Sequence, residues 1–206
     1  MKISDFQKHK IRRDCGKKYD DYHNYLPYLQ RDFAHRCCYC NLHEDTIGTI
    51  SFQIDHFIPQ KHFGTTRREL RNQYNNLMLA CPKCNRAKSD QYEGDITSLE
   101  IENRLFYNPD KVDYNEIFYR NELGGISSDD PKGQDMINRL KLYRVMHNYA
   151  WILEKLDDLL ERIDKQIVTA TGERKKVLAA TRNRLFEKHY RMRKQFCAAY
   201  REKQSK

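Results

Sequence analysis

The sequence predicts an α+β protein, mostly α: a small metal-held unit of two short strands and a helix, a helix ahead of it, and an antiparallel helical hairpin after it. Three observations predict this. Two C-x-x-C pairs, Cys37 with Cys40 and Cys81 with Cys84, share one spacing and bracket a long insertion. Apolar runs short enough for strands end at Asp55 and His56 and again at Cys81. Apolar residues in steps of four and three then recur from Tyr149 to Ile167.

In chain order, "YDDYHNYLPYLQRDFAHR" at 19–36 places Tyr22, Leu26, Leu29 and Phe33 at helical spacing, with Pro27 either in the first turn or kinking the helix. "TISFQIDH" at 49–56 alternates Ile50, Phe52 and Ile54 with polar neighbours, the period of a half-buried strand. Residues 57–73 contain Pro59, Gly64 and a charged run, and read as a loop. "NNLMLAC" reads as a short apolar strand, and "CPKCNRAK" opens a helix. From about residue 101, turn formers mixed with aromatics predict an irregular packed connection with one short hairpin. Asp129, Asp130 and Pro131 then suit the start of a long helix carrying Tyr149, Leu153, Leu156, Leu160, Ile163 and Ile167. "TATG" at 169–172 breaks it, and a second helix offers Leu178, Leu185, Met192 and Phe196 on one face. The expected divisions are residues 1–36, an N-terminal helical segment; 37–100, the metal-held unit; and 101–206, the connector and hairpin.

Composition narrows the setting. One third of the 206 residues are charged, no apolar run approaches the roughly 18 residues that cross a bilayer, and "MKISDFQKHKIRRD" has no signal-like apolar core. A soluble cytoplasmic protein without membrane contact is therefore expected. There, seven cysteines favour metal binding over disulfides, and Cys15, Cys38 and Cys197 are left as ordinary thiols. Four soft thiolates in two knuckles suit a closed tetrahedral Zn²⁺ site of structural kind. From Glu173 onward, twelve Lys or Arg stand against three acidic residues, which accounts for the whole net charge of +9. Such a segment is the footprint expected for a phosphate backbone, or else a solvated helix face.

"CCYC", "IDHFIPQ" and "NNLMLACPKCN", in that order, resemble the HNH endonucleases that carry a four-cysteine zinc site, whose core is a ββα-metal hairpin and helix. The resemblance covers residues 37 to about 90. It implies phosphodiester hydrolysis in nucleic acid, DNA being the expected substrate, with His56 as general base. It implies that Asp55 and Asn85 hold a catalytic Mg²⁺ or Mn²⁺, an oxygen donor set suited to a hard cation. Asn76 would orient the His56 ring, and Lys88 would approach a phosphate. The last pattern position, often histidine in the family, is Asn85 here. Arg67, Arg68 and Arg71 in the long loop, and Arg182, Arg184, Lys188 and Arg191 in the basic segment, are candidate nucleic-acid contacts.

Other chemistries fit less well. A zinc base deaminase needs His-x-Glu and Pro-Cys-x-x-Cys, whereas residues 81–82 read Cys-Pro. A redox protein of thioredoxin type uses one C-x-x-C on a βαβ unit. The remaining alternative is a non-catalytic zinc module that binds nucleic acid or docks a partner. The N-terminal helix, "CCYC", "IDHF" and "NPDKVDYNEIFYRNELGGI" also loosely resemble the HNH subunits of bacterial antiphage systems such as Septu, which implies an ABC-type ATPase as partner.

Overall fold

The computed structural model describes residues 2, 6, 7, 9–48 and 51–202. They form an α+β, mostly helical fold in two compact units, residues 1–122 with 126–143 and residues 123–125 with 144–206.

The first unit opens with a tight turn at Tyr22–Tyr25, capped by the Asp21 carboxylate, which leads into α1 (Leu26–Asp32). Pro27 lies in the first turn of α1, where its missing N–H costs nothing. Leu29 and Phe33 are buried as expected and Tyr25 joins them, while Tyr22 and Leu26 are half-buried. Left-handed backbone at Ala34 and His35 (φ 48° and 57°) ends the helical run earlier than the sequence suggests and leads into the first cysteine knuckle.

After α2 (Glu44–Ile47), β1 (Gln53–His56) pairs antiparallel with β2 (Leu77–Ala80), setting Asp55 opposite Met78 and His56 opposite Leu77. The strand is shorter than 49–56, and Thr49 and Ile50 lie outside the described residues. Its burial also departs from simple alternation. Phe52 is buried but Ile54 only half, whereas Asp55 and His56 are both buried. The reason is that polar partners wait for these two side chains on opposite sides of the strand. All four residues of β2 are buried.

The expected loop at 57–73 contains α3 (Gln60–Phe63) and a short turn of helix at Arg68–Arg71, with another at Tyr74–Asn76 leading into β2. Phe57, Ile58, Phe63 and Leu70 are buried and hold it down. Beyond β2, α4 (Pro82–Lys88) starts with Pro82 in its first turn and Cys81 as its cap. The connector then forms α5 (Tyr114–Ile117) and the hairpin β3 (Tyr119–Arg120) with β4 (Ile126–Ser127). Phe6, Tyr114 and Phe118 pack ring against ring at 5.1–6.3 Å.

α6 (Pro131–Leu140) begins where the sequence predicts, with the Asp130 carboxylate accepting from the Gly133 N–H at 2.7 Å. It does not run on to Ile167. Lys141 adopts a left-handed conformation (φ 54°, ψ 45°), while Lys141 N–H and Leu142 N–H bond back to Asn138 and Ile137. A left-handed non-glycine residue costs about 1–2 kcal/mol. Burial of Leu142, fully enclosed here, contributes roughly 1.5–3 kcal/mol and outweighs it.

The second unit is the hairpin of α7 (Val145–Thr169) and α8 (Gly172–Arg201), turned at Ala170 and Thr171 as "TATG" predicts. Pairs of Asp164 with Arg182 and Asp157 with His189 run in opposite directions along the helices, so these are antiparallel. Leu153, Leu156, Ile163 and Phe196 are buried from the expected seam, joined by Met146, Ala150 and Tyr200. Tyr149, Leu160, Ile167, Leu178, Leu185 and Met192 are half-buried along it. Gly124 has φ +78°, and a Cβ there would stand 2.7 Å from the Trp151 ring, so backbone and space both call for glycine.

Candidate functional site

The two knuckles meet. The ligand atoms of Cys37, Cys40, Cys81 and Cys84 lie within 4.8 Å of one another, all four residues are buried, and the Cys40 and Cys81 sulfurs are 3.9 Å apart. A tetrahedron with Zn–S bonds of about 2.3 Å has edges of ~3.8 Å, so the donors fit Zn²⁺ in size, softness and number. Their protonation agrees. Burial drives the Cys40 thiol well above its ordinary range, and hydrogen bonds from Cys37, Cys40 and Cys81 do the same to Cys84. Burial would raise Cys37 too, but hydrogen bonds from its four thiol neighbours bring it down. Cys40 and Cys84, held protonated in this way, would release their protons to a bound cation. Backbone bonds from Cys37 to Leu42, from Cys38 to Leu79 and from Asn41 to Cys37 shape the first knuckle. The Cys84 N–H donates to the Cys81 sulfur in the second.

One carboxylate links the knuckles to the strand. Tyr39, inside "CCYC", donates to Asp55 Oδ2 at 2.6 Å, and Lys88 Nζ donates to Asp55 Oδ1 at 3.0 Å and to the His56 carbonyl at 2.8 Å. Tyr39 and Lys88 are fully enclosed and Asp55 is 5% exposed. Burial raises the Tyr39 phenol well above its usual range, which keeps it a donor. Lys88 is therefore not turned toward a phosphate, as the sequence suggested. An ammonium stem packed against β1 reaches the nearest carboxylate, since a buried unpaired charge costs several kcal/mol.

The expected divalent pair, Asp55 with Asn85, does not fit a cation as it stands. Oxygen donors suit Mg²⁺ or Mn²⁺. However, each Asp55 oxygen already accepts a bond, one of them from the Lys88 ammonium, and Asn85 Nδ2 donates to Gln53 at 2.9 Å. Gln53 and Asp55 share one side of β1, and Asn85 and Lys88, three apart, share the facing side of α4.

His56 occupies the other side of β1. Its Nε2 is 2.9 Å from the Arg71 carbonyl, which only accepts, so this nitrogen carries the proton. Nδ1 is then the acceptor, meeting the Gln60 amide at 3.2 Å. Tyr22 closes edge-on at 4.8 Å, and Phe63 lies 6.1 Å away. Burial pulls the His56 pKa below its ordinary value, against the Arg71 carbonyl and Asp55, which raise it. The imidazole is thus neutral near neutrality.

Asn76 does not touch that ring. Its Oδ1 accepts from Ile58 N–H at 2.9 Å, and its Nδ2 donates to the Leu70 carbonyl at 3.0 Å and the Ile58 carbonyl at 3.3 Å. It ties both ends of the 57–76 segment together, and Arg71, carried by that segment, supplies the acceptor the ring needs. Tyr39, Gln60 and Gln53 were not singled out from sequence, and Tyr22 only as part of a helix face. For Gln53 and Gln60 a signal existed, two positions before Asp55 on a strand and four after His56.

Of the basic candidates in the first unit, Arg68 and Arg71 are exposed, the Arg71 guanidinium 6.0 Å over the Tyr22 ring. Arg67 is engaged by Glu69 and the Ser98 carbonyl. In α8, Arg184 and Lys188 are exposed; Arg182 pairs with Asp164 at 2.6 Å and Arg191 with Glu187 at 4.0 Å.

Residues 37–91 match the family model of the HNH endonucleases. The HNH region thus begins at the first knuckle and contains β1, β2, α4, all four cysteines, Asp55, His56, Asn76, Asn85 and Lys88. No curated protein and no solved structure matches the chain. Among the described residues no helix is long and apolar enough to cross a membrane.

Proposed function

We propose that the chain is an HNH endonuclease that hydrolyses phosphodiester bonds in nucleic acid, DNA being the expected substrate, with His56 as general base and a structural Zn²⁺ on Cys37, Cys40, Cys81 and Cys84. The observation that carries this reading is the state of His56: neutral, with Nε2–H committed to Arg71 and Nδ1 holding a lone pair. Gln60 must yield its bond for Nδ1 to take a proton from water. The water oxygen then bonds to phosphorus, the bond to the 3′ oxygen breaks, and that oxygen is protonated from solvent. Arg68 and Arg71 are exposed cations on the segment whose carbonyl holds His56, and the basic face of α8, with Arg182, Arg184, Lys188 and Arg191, adds backbone affinity. A divalent requirement for Mg²⁺ or Mn²⁺ belongs to the reading, but with Asp55 engaged no step runs through that ion.

Incubating plasmid with the protein and Mg²⁺ or Mn²⁺ tests this. His56→Ala should lower cleavage by about 10²–10⁴-fold. Equal cleavage by both proteins, or none by wild type, removes His56 from the role. One observation favours a second reading, a non-catalytic nucleic-acid-binding module: both Asp55 oxygens are occupied. Binding without cleavage in the same assay selects it. The antiphage setting, with an ABC-type ATPase as partner, rests on the sequence resemblance, and the cytoplasmic location on composition. Cleavage that depends on such a co-expressed ATPase is its test.

A further inference from the structure

The side chains that meet at Asp55 have a consequence for metal binding. Lys88 Nζ stands 3.0 Å from Oδ1, Tyr39 OH stands 2.6 Å from Oδ2, and all three residues are buried. A Mg²⁺ or Mn²⁺ ion on Oδ1 would sit about 2.1 Å from that atom, hence no more than about 5 Å from the ammonium where it stands. Two cations that close, out of water, repel strongly, and the ion pair that Lys88 makes is with Asp55.

We propose that Lys88 is a built-in competitor for the divalent ion: its ammonium occupies the cation position at Asp55, the metal binds only by displacing it, and Tyr39 weakens metal binding further by holding the second carboxylate oxygen. The inference rests on the divalent ion of the proposed nuclease reading and goes beyond it, since it makes divalent affinity a property set by Lys88 and Tyr39. The parts suit such an exchange. Lys88 is the last residue of α4, and its Nζ is held by two acceptors, Asp55 and the His56 carbonyl. One of them is backbone that stays in place when the side chain leaves. Tyr39 belongs to the first zinc knuckle, so the second oxygen is held by a group whose position depends on the cysteine site.

The test is direct Mn²⁺ binding to the zinc-loaded full chain, followed by electron paramagnetic resonance of free Mn²⁺, with zinc content and circular dichroism as checks of fold. Lys88→Met should bind Mn²⁺ at least tenfold more tightly than wild type, and Lys88→Arg, which keeps the charge, should bind like wild type. Tyr39→Phe removes one hydrogen bond and leaves the ion pair, and should strengthen Mn²⁺ binding by roughly threefold even if Lys88→Met does not fold. Asp55→Asn should abolish the site. Wild-type Mn²⁺ binding that neither Tyr39→Phe nor a folded Lys88→Met tightens overturns the inference and leaves the nuclease reading standing. Absence of Mn²⁺ binding in every variant overturns the inference together with the divalent part of that reading.

Discussion

The two units of this chain are each stabilised in a different way. In the first, short elements pack a shared apolar core, Leu29, Phe33, Phe57, Leu79 and Phe106 among it, around polar centres: four thiols at one point, and Tyr39 and Lys88 at the Asp55 carboxylate. In the second, two helices of 25 and 30 residues meet along an apolar seam with charged pairs at its margin. A four-residue strand or a seven-residue helix buries little surface by itself, so it depends on many neighbours and on a cross-link that fixes their positions. Long amphipathic helices do not.

The sharpest way to break this contrast is to deprive the four thiols of the proposed Zn²⁺. Structural Zn²⁺ sites contribute roughly 10–16 kcal/mol of apparent binding energy that is also folding energy. Chelation, or Cys81→Ser, should therefore unfold the first unit while α7 and α8 keep most of the helical circular-dichroism signal; loss of both together would deny the contrast. Leu156→Ala works the other way. Truncating a buried seam leucine should cost the hairpin about 2–5 kcal/mol in denaturant unfolding, with zinc stoichiometry unchanged.

Acidity should separate the units as well. Burial lowers the His56 pKa, so the neutral base persists below pH 6.5, and cleavage should rise with pH through a midpoint under that value. The sign for stability follows: the unfolded chain protonates this histidine first, so its contribution is complete above the unfolded pKa and falls away as pH drops through the folded one. A cleavage midpoint at or above 6.5 would mean the ring is not buried as described. The smallest effect belongs to the hairpin margin. The pair of Arg182 with Asp164 is open to water, and Arg182→Ala should leave the melting temperature unchanged within error while weakening nucleic-acid binding and its salt dependence.

Much of the site could be read from local order. The cysteine spacing named the four thiols that the fold brings within 4.8 Å, and the ends of both strands fell where apolar runs stop. The break at Lys141 could not be read this way, because no glycine or proline marks it and its cause is the burial of Leu142. Nor could the roles of Asn76 and Lys88. An asparagine before a strand and a lysine one turn past a knuckle look free to reach a ring or a phosphate until their backbone and carboxylate partners are seen.

By itself the sequence determined the α+β class, the paired knuckles, the strand ending in Asp55 and His56, and the heptad hairpin, because each is written in spacings of a few residues. Only the tertiary structure decided that Asp55 is already held by Tyr39 and Lys88, and that His56 leans on Arg71 and Gln60. Three of those four partners lie 15 to 33 positions away, and side chains that far apart leave no periodic mark in the chain.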